Sequence, residues 1–206
     1  MAIGRLHVIT DTRSGRDPLP TVTAALEAGA PVVQVRGKEL TDRELYELTC
    51  RVLEVCVEHA ATCLVDDRPH VALAAGAHGA HVGADDLPVA AAHRILGPGL
   101  VLGATARNPD TARAHQGAGA TYLGVGPAYA TATKPGLPPP LGAGGVGRVV
   151  AAVDVPVIAI AGVTAERVPE LRDAGAHGVA VVGAVSNADD PYAATEALLR
   201  ALEKAP

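Results

Sequence analysis

The phrase Ala-Gly-Ala recurs four times, at residues 28–30, 75–77, 118–120 and 174–176, and a short apolar run follows each copy. Those runs are PVVQVR, HGAHVG, TYLGVG and HGVAVVG. Glycine just past a helix end adopts the left-handed conformation that closes the last turn, and a β-rich run straight after it reads as a buried parallel strand. The glycines of the repeat, Gly29, Gly76, Gly119 and Gly175, lie 47, 43 and 56 residues apart, so each interval has room for two strand–helix units. A repeat of this kind fixes the architecture before any single motif is considered.

Filling in the intervening units predicts eight strands, at residues 5–11, 32–36, 62–66, 79–82, 100–104, 122–126, 155–161 and 178–182. Amphipathic helical stretches separate them, most clearly at 42–59, 165–174 and 191–202. Strict alternation of strand and helix implies a parallel sheet with right-handed crossovers. Eight units of roughly 26 residues make a compact (β/α)8 TIM barrel of the phosphate-binding type, near the lower size limit for that α/β fold. A doubly wound open sheet is the alternative, and the count of eight favours the closed barrel. All 206 residues are expected to form one domain.

Composition narrows the function. Hydrophobic residues make up 49 % of the chain and charged residues 19 %, enough apolar material for a well-buried core. With 23 glycines, four tyrosines and no phenylalanine or tryptophan, that core is built from small aliphatic side chains. A net charge of −5 gives no basic footprint, and few aromatics are available for base stacking, which argues against a nucleic-acid partner. Residues 1–10 hold only a brief apolar run, too short for a signal peptide or a membrane span, so a cytoplasmic location and no membrane partner are expected. Cys50, Cys56 and Cys63 lack metal-ligand spacing and read as buried thiols. A homo-oligomeric assembly is compatible with the sequence. Residues 142–147, GAGGVG, match the G-x-G-x-x-G dinucleotide pattern, but they follow the loop Pro138-Pro139-Pro140 rather than a strand. They read as a flexible loop leading into a helix.

In a barrel of this class function gathers at the C-terminal ends of the strands. The second strand ends Gln34-Val35-Arg36-Gly37-Lys38, with three long polar side chains at period two. The third ends Asp66-Asp67-Arg68 and the fourth leads to Asp85-Asp86. Paired carboxylates at adjacent strand mouths suit Mg2+, which takes one or two protein carboxylates and completes its shell with water and phosphate oxygens. Helix capping by Asp67 and Asp86 is the competing reading. The long segment after the sixth strand carries Thr131, Thr133 and Lys134, which fit an oxyanion clamp over a phosphorylated ligand. Gly162 and Gly183, each expected to open a helix, match the common barrel phosphate site. His7 and His81 lie on strands, where packing is the expected role, and no Ser/His/Asp or Cys/His arrangement stands out.

These residues resemble the thiamine-phosphate synthase (thiamine-phosphate pyrophosphorylase) family. The matching stretches are LHVITD, VQVRGK, VDDR with PHVALAAGAHGAHVGADDLP, GVGPAYATATK, and VIAIAGVTAERVPELRDAGAHGVAVVGAV, in order from residue 6 to residue 185. The resemblance implies a transferase in which the pyrimidine methyl diphosphate loses pyrophosphate. The thiazole phosphate nitrogen then attacks the carbocation-like methylene, giving thiamine phosphate. Such chemistry needs leaving-group stabilisation and positioning rather than an enzymic nucleophile. By similarity, Gln34, Arg36 and Lys38 hold the diphosphate, with Asp66 beside it, and Asp67 and Asp86 bind Mg2+. Thr131 and Thr133 contact the thiazole phosphate, and Lys134 neutralises pyrophosphate charge. Gly162, Val182 and Gly183 supply the backbone cradle, and Thr105 provides the hydroxyl of the fifth strand. Arg36, Lys38 and Lys134 are the expected catalytic residues.

Several positions depart from the family pattern. Asp66 stands where asparagine is usual, Thr105 and Gly183 where serine is common, Ala161 where glycine is usual, and His7 where tyrosine is common. The related thiazole tautomerases share the barrel but use a histidine just after the fifth strand, where this chain has Arg107, and they lack the lysine and threonine loop. A non-catalytic, ligand-binding regulator on the same scaffold is the other alternative, raised by the extra charge of Asp66. With so few aromatic rings, pyrimidine recognition is expected to rely on aliphatic walls and hydrogen bonds.

Overall fold

A computed structural model describes residues 3–131, 133 and 136–204. Eight parallel strands close into a barrel in sequence order: β1 (Leu6–Ile9), β2 (Val32–Val35), β3 (Thr62–Asp66), β4 (Gly79–Val82), β5 (Val101–Ala106), β6 (Tyr122–Val125), β7 (Val157–Ile160) and β8 (Gly178–Val181). Closure is made by β8 against β1, with Leu6 opposite Val179 and the Val179 amide donating to the Arg5 carbonyl at 2.8 Å. Each expected strand is present: β3 and β4 have the expected bounds, β2, β6 and β8 are one residue shorter, β1 and β7 three shorter, and β5 starts one residue later and runs on to Ala106. The surrounding helices are α1 (Leu19–Glu27), α2 (Asp42–Glu58), α3 (Pro69–Ala75), α4 (Val89–Leu96), α5 (Pro109–Gly117), α6 (Gly142–Val150), α7 (Val168–Asp173), α8 (Gly183–Ser186) and α9 (Pro191–Lys204).

The four repeats are one device used four times. Gly29, Gly76, Gly119 and Gly175 follow α1, α3, α5 and α7, all with φ between 70° and 104°. After each glycine, the amide of the next alanine reaches back five residues, to Ala25, Ala72, His115 and Leu171, at 3.0 Å every time. That is the six-to-one bond of a Schellman motif, which satisfies a carbonyl the helix end would otherwise leave open. Each of these alanines is buried, so the helix is stopped and the chain enters the barrel wall in one step. The end of α2 makes the same joint without glycine. Ala60 sits at φ 52°, and the Ala61 amide donates to the Cys56 carbonyl at 2.8 Å.

Period-two alternation sorts the strand residues into two apolar layers. Val33, Val35, Cys63 and Val65 face outward against helices, where α2 offers Leu45, Leu48, Val52 and Cys56 at helical spacing. A capping box starts α2: the Glu44 amide donates to Thr41 Oγ1 and the Thr41 amide to Glu44 Oε2. Ile9, Val32, Leu64, Val101, Tyr122 and Ile158 fill the lumen. Room for the Tyr122 and His81 rings comes from glycine: a Cβ on Gly103 would stand 2.2 Å from Tyr122 and 2.4 Å from His81.

Two expectations need correction. The G-x-G-x-x-G segment is not a loop before a helix, for Gly142–Gly147 form most of α6 itself, entered through Gly142 at φ 64°. Gly162 does not open a helix either. Ala161 and Gly162 both have positive φ and lie outside any helix, and a 3-10 turn at Ala165–Arg167 separates them from α7. Cys56 and Cys63 are buried and Cys50 half-buried; the Cys56 thiol and burial push the Cys63 thiol up, away from reactivity.

The helix-to-strand joint makes a reciprocal prediction. Ala60 is exposed in a left-handed conformation, so Ala60→Gly should stabilise the protein by about 1 kcal/mol. A Cβ on Gly76 would meet nothing within 4 Å, so Gly76→Ala tests conformation alone and should destabilise by about the same amount. Urea denaturation of both variants measures this; two unchanged midpoints would contradict the account of the joint.

Candidate active site

The C-terminal ends of the strands surround a cavity of about 940 Å³. On one side β2, β3 and β4 bring together Gln34, Arg36, Lys38, Asp66, Asp67 and Asp86, and the structure interleaves their charges. Gln34 Nε2 donates to Asp66 Oδ1 at 2.6 Å, and Arg36 Nε lies 3.3 Å from Asp66 Oδ2. The Lys38 ammonium is in contact with the Asp67 carboxylate and 3.9 Å from Asp86. Burial pushes the Asp66 carboxyl up, opposed by the nearby Arg36 and Lys38 charges. Asp86 is also pushed up, first by burial and then by the neighbouring Asp67 carboxyl.

Neither Asp67 nor Asp86 caps a helix. Asp67 takes a left-handed conformation, φ 65°, and its amide continues the ladder by donating to the His81 carbonyl at 2.7 Å. Asp86 Oδ2 accepts from the Gly83 amide at 2.8 Å, folding its own loop, while Arg68 and Pro88 occupy the cap positions of α3 and α4. Asp85 is exposed at the rim. No group of three or more His, Cys, Asp or Glu side chains clusters as metal ligands among the described residues. A cation here therefore has the Asp67–Asp86 pair, at a point where Lys38 already supplies positive charge.

The opposite wall comes from the segments after β6, β7 and β8. Thr131 Oγ1 donates to Thr133 Oγ1 at 3.2 Å, and a Cβ on Gly183 would lie 3.5 Å from that Thr133 hydroxyl. A Cβ on Gly162 would stand 2.5 Å from the Ala130 carbonyl, so only glycine lets these two segments pass so closely. Val182 precedes α8, whose first residue is Gly183. Lys134 lies outside the described residues.

Sequence reasoning missed the floor. His81 Nε2 and Thr105 Oγ1 are 2.9 Å apart, as are His81 Nδ1 and the Tyr122 hydroxyl. The His7 ring meets the Tyr122 ring edge-on at 5.2 Å. Three rings thus line a cavity for which aliphatic walls were expected. The glycines Gly103 and Gly124, on the neighbouring strands β5 and β6, are the available signal that something bulky fills the lumen there. Arg107 is engaged with the fold: its Nε donates to the Gly126 carbonyl and its terminal nitrogen to that of Pro139.

The family model for thiamine monophosphate synthase matches residues 6–185. Over 204 residues the chain is 60 % identical to a thiamine-phosphate synthase of Salinispora tropica, covering 98 % of each chain. The chain belongs to the thiamine monophosphate synthase family. It is 44 % identical to a second such synthase, from Haloarcula marismortui, over 93 % of this chain and 92 % of that one. A solved thiamine phosphate pyrophosphorylase from Pyrococcus furiosus has the same barrel, with a TM-score of 0.89 at 36 % identity over 97 % of this chain and 96 % of that one. The activity is that of a thiamine-phosphate synthase, a transferase of thiamine biosynthesis that joins the pyrimidine diphosphate and the thiazole phosphate and releases pyrophosphate. Among the described residues no helix is long and apolar enough to cross a membrane.

Two of the floor residues also set a pH dependence. Burial, and then the His81 charge, pushes His7 down to about 3, and burial pushes His81 down to about 4. Between these values and the ordinary 6.5, the unfolded chain binds protons that the folded protein refuses. Stability present above pH 6.5 is therefore lost as pH falls towards 4. In a His7→Gln variant the loss between pH 6 and pH 4 should be shallower, by on the order of 1 kcal/mol per pH unit. Urea midpoints across that range measure both slopes, and equal slopes would contradict a buried, neutral His7.

Proposed function

We propose that the cavity divides the synthase reaction between its two walls, a diphosphate wall at β2–β4 and a thiazole-phosphate wall at the ends of β6–β8. One observation carries the division. Gln34, Arg36 and Lys38 interleave with Asp66, Asp67 and Asp86 on one side, while the opposite side offers the Thr131 and Thr133 hydroxyls, Asn187, Arg167 and close-packed glycine backbone, with no carboxylate among the described residues lining it.

In this reading Arg36, Lys38 and Lys134 stabilise charge on the departing pyrophosphate, and Gln34 orients it. Loss of a diphosphate places developing negative charge on the leaving oxygen, and fixed cations in a site that needs no reorganisation lower the barrier most. Asp67 and Asp86 would hold Mg2+: the two carboxylates already share one ammonium, and Mg2+ generally takes one or two carboxylates together with water and phosphate oxygens. When bound, the metal neutralises diphosphate charge. Asp66 keeps Gln34 and Arg36 in place, its added charge being met by the Arg36 guanidinium and the Gln34 amide. Thr105, tied to His81, presents a hydroxyl beside the rings of the floor.

Thr131 and Thr133, with the backbone of Gly162, Val182 and Gly183, hold the thiazole phosphate and bring its ring nitrogen to the methylene that loses pyrophosphate. Ordering two substrates in this way supplies much of the acceleration without an enzymic nucleophile. Arg107, bonded to two backbone carbonyls of the β6–α6 segment, has a structural task where a tautomerase uses a histidine. Small-molecule substrates and a cytoplasmic setting accompany this reading.

The metal assignment has a direct test. Asp86→Asn should raise the Mg2+ concentration needed for half-maximal turnover by on the order of tenfold or more, because one of two carboxylates is lost. An unchanged Mg2+ requirement with normal folding would overturn the role of Asp86.

A further inference from the structure

The synthase roles leave one charged pair at the rim without a task. Asp11 lies two residues beyond the end of β1, and its side chain is only 4 % exposed. Arg13, two residues on, grips it with a fork: Nε donates to Oδ1 and NH2 to Oδ2, both at 2.7 Å, and the Arg13 amide adds a bond to Oδ1 at 3.2 Å. Ser186 of α8 donates its hydroxyl to Asp11 Oδ2 at 3.4 Å. Arg16 stands 3.7 Å from the same oxygen and donates to the Ser186 carbonyl at 3.0 Å. The remaining Arg13 contact crosses 120 residues of chain, NH1 donating to the Thr133 carbonyl at 3.0 Å.

We propose that Asp11 and Arg13 form a positioning device that sets Thr133 against Gly183 and so pre-forms the phosphate side of the site. This rests on the reading of Thr131, Thr133, Gly162 and Gly183 as the thiazole-phosphate wall. A buried carboxylate is retained against its desolvation cost only when well paired, and such pairs serve geometry better than stability. Here the pair joins three strand-end segments: its own after β1, α8 after β8, and the Thr131–Thr133 stretch after β6. Each guanidinium nitrogen donates to protein oxygen, Nε and NH2 to the Asp11 carboxylate and NH1 to the Thr133 backbone, so the side chain is engaged in holding backbone. The carbonyl it holds belongs to the residue whose hydroxyl lies over Gly183, which is where a shift of an ångström matters. The Arg13 contact also holds the Asp11 carboxyl at about 2, so the fork stays charged throughout the working pH range.

Steady-state kinetics with each substrate varied separately tests the device. Arg13→Gln should raise KM for the thiazole phosphate about tenfold, leave KM for the pyrimidine diphosphate unchanged and alter kcat by less than about threefold. Arg13→Lys should behave like Arg13→Gln, because an ammonium cannot fork. Thr133→Ala keeps the carbonyl but removes the hydroxyl, and should raise the same KM. Combined with Arg13→Gln it should add little, since both changes act through one residue. Should Arg13→Gln fail to fold, Asp11→Asn carries the same expectation, and a wild-type thiazole KM in it overturns the proposal. Wild-type KM in Arg13→Gln with a raised KM in Thr133→Ala refutes the device and leaves the phosphate wall standing. Full rescue by Arg13→Lys would mean that charge alone is at work, and also refutes it. A wild-type KM in Thr133→Ala would remove the phosphate wall and the device with it.

Discussion

A helix that packs against a parallel strand must stop, turn and re-enter the sheet within two or three residues, and everything else in this barrel depends on that joint. Four times the turn is a left-handed glycine followed by a buried alanine whose amide caps the helix from five residues away. Once, after α2, alanine makes the left-handed step itself. Small residues at the joints let helices sit close to strands, and close helices are how about two hundred residues enclose eight strands. The same economy operates inside the lumen, where Gly103 and Gly124 give way to Tyr122 and His81.

Closure has an electrostatic consequence at the strand ends. Six polar side chains from β2, β3 and β4 meet at one rim, and none of the three carboxylates stands alone: Asp66 has Gln34 and Arg36, and Asp67 and Asp86 share Lys38. The site thus supplies its own counter-charges. Charges drawn this close together are tolerable only when each has a partner.

Much of this was legible in the sequence, for definite reasons. Strand positions follow from apolar runs that begin at a glycine joint, and Gln34, Arg36 and Lys38 announce themselves because period two puts long polar side chains on one face of a buried strand. Other features depend on closure. Which face of β4 looks into the lumen cannot be read from Gly79-Ala80-His81-Val82, so in sequence His81 reads as packing, whereas in the barrel Thr105 and Tyr122 flank it. The match of residues 142–147 to a nucleotide fingerprint is local, and only their place within α6 shows them to be ordinary helix. In sequence Gly162 reads as a helix opener, because the positive φ at Ala161 beside it has no signal in an alanine. The bond from Arg13 to Thr133 spans most of the chain and has no local signature at all.

The central claim is that one cavity joins a pyrimidine diphosphate to a thiazole phosphate. Purified protein incubated with both phosphorylated substrates and Mg2+ should form thiamine phosphate, read as fluorescent thiochrome after oxidation. The signal should vanish when either substrate is omitted. Product no greater than in a protein-free control, from protein shown to be folded, would contradict the account.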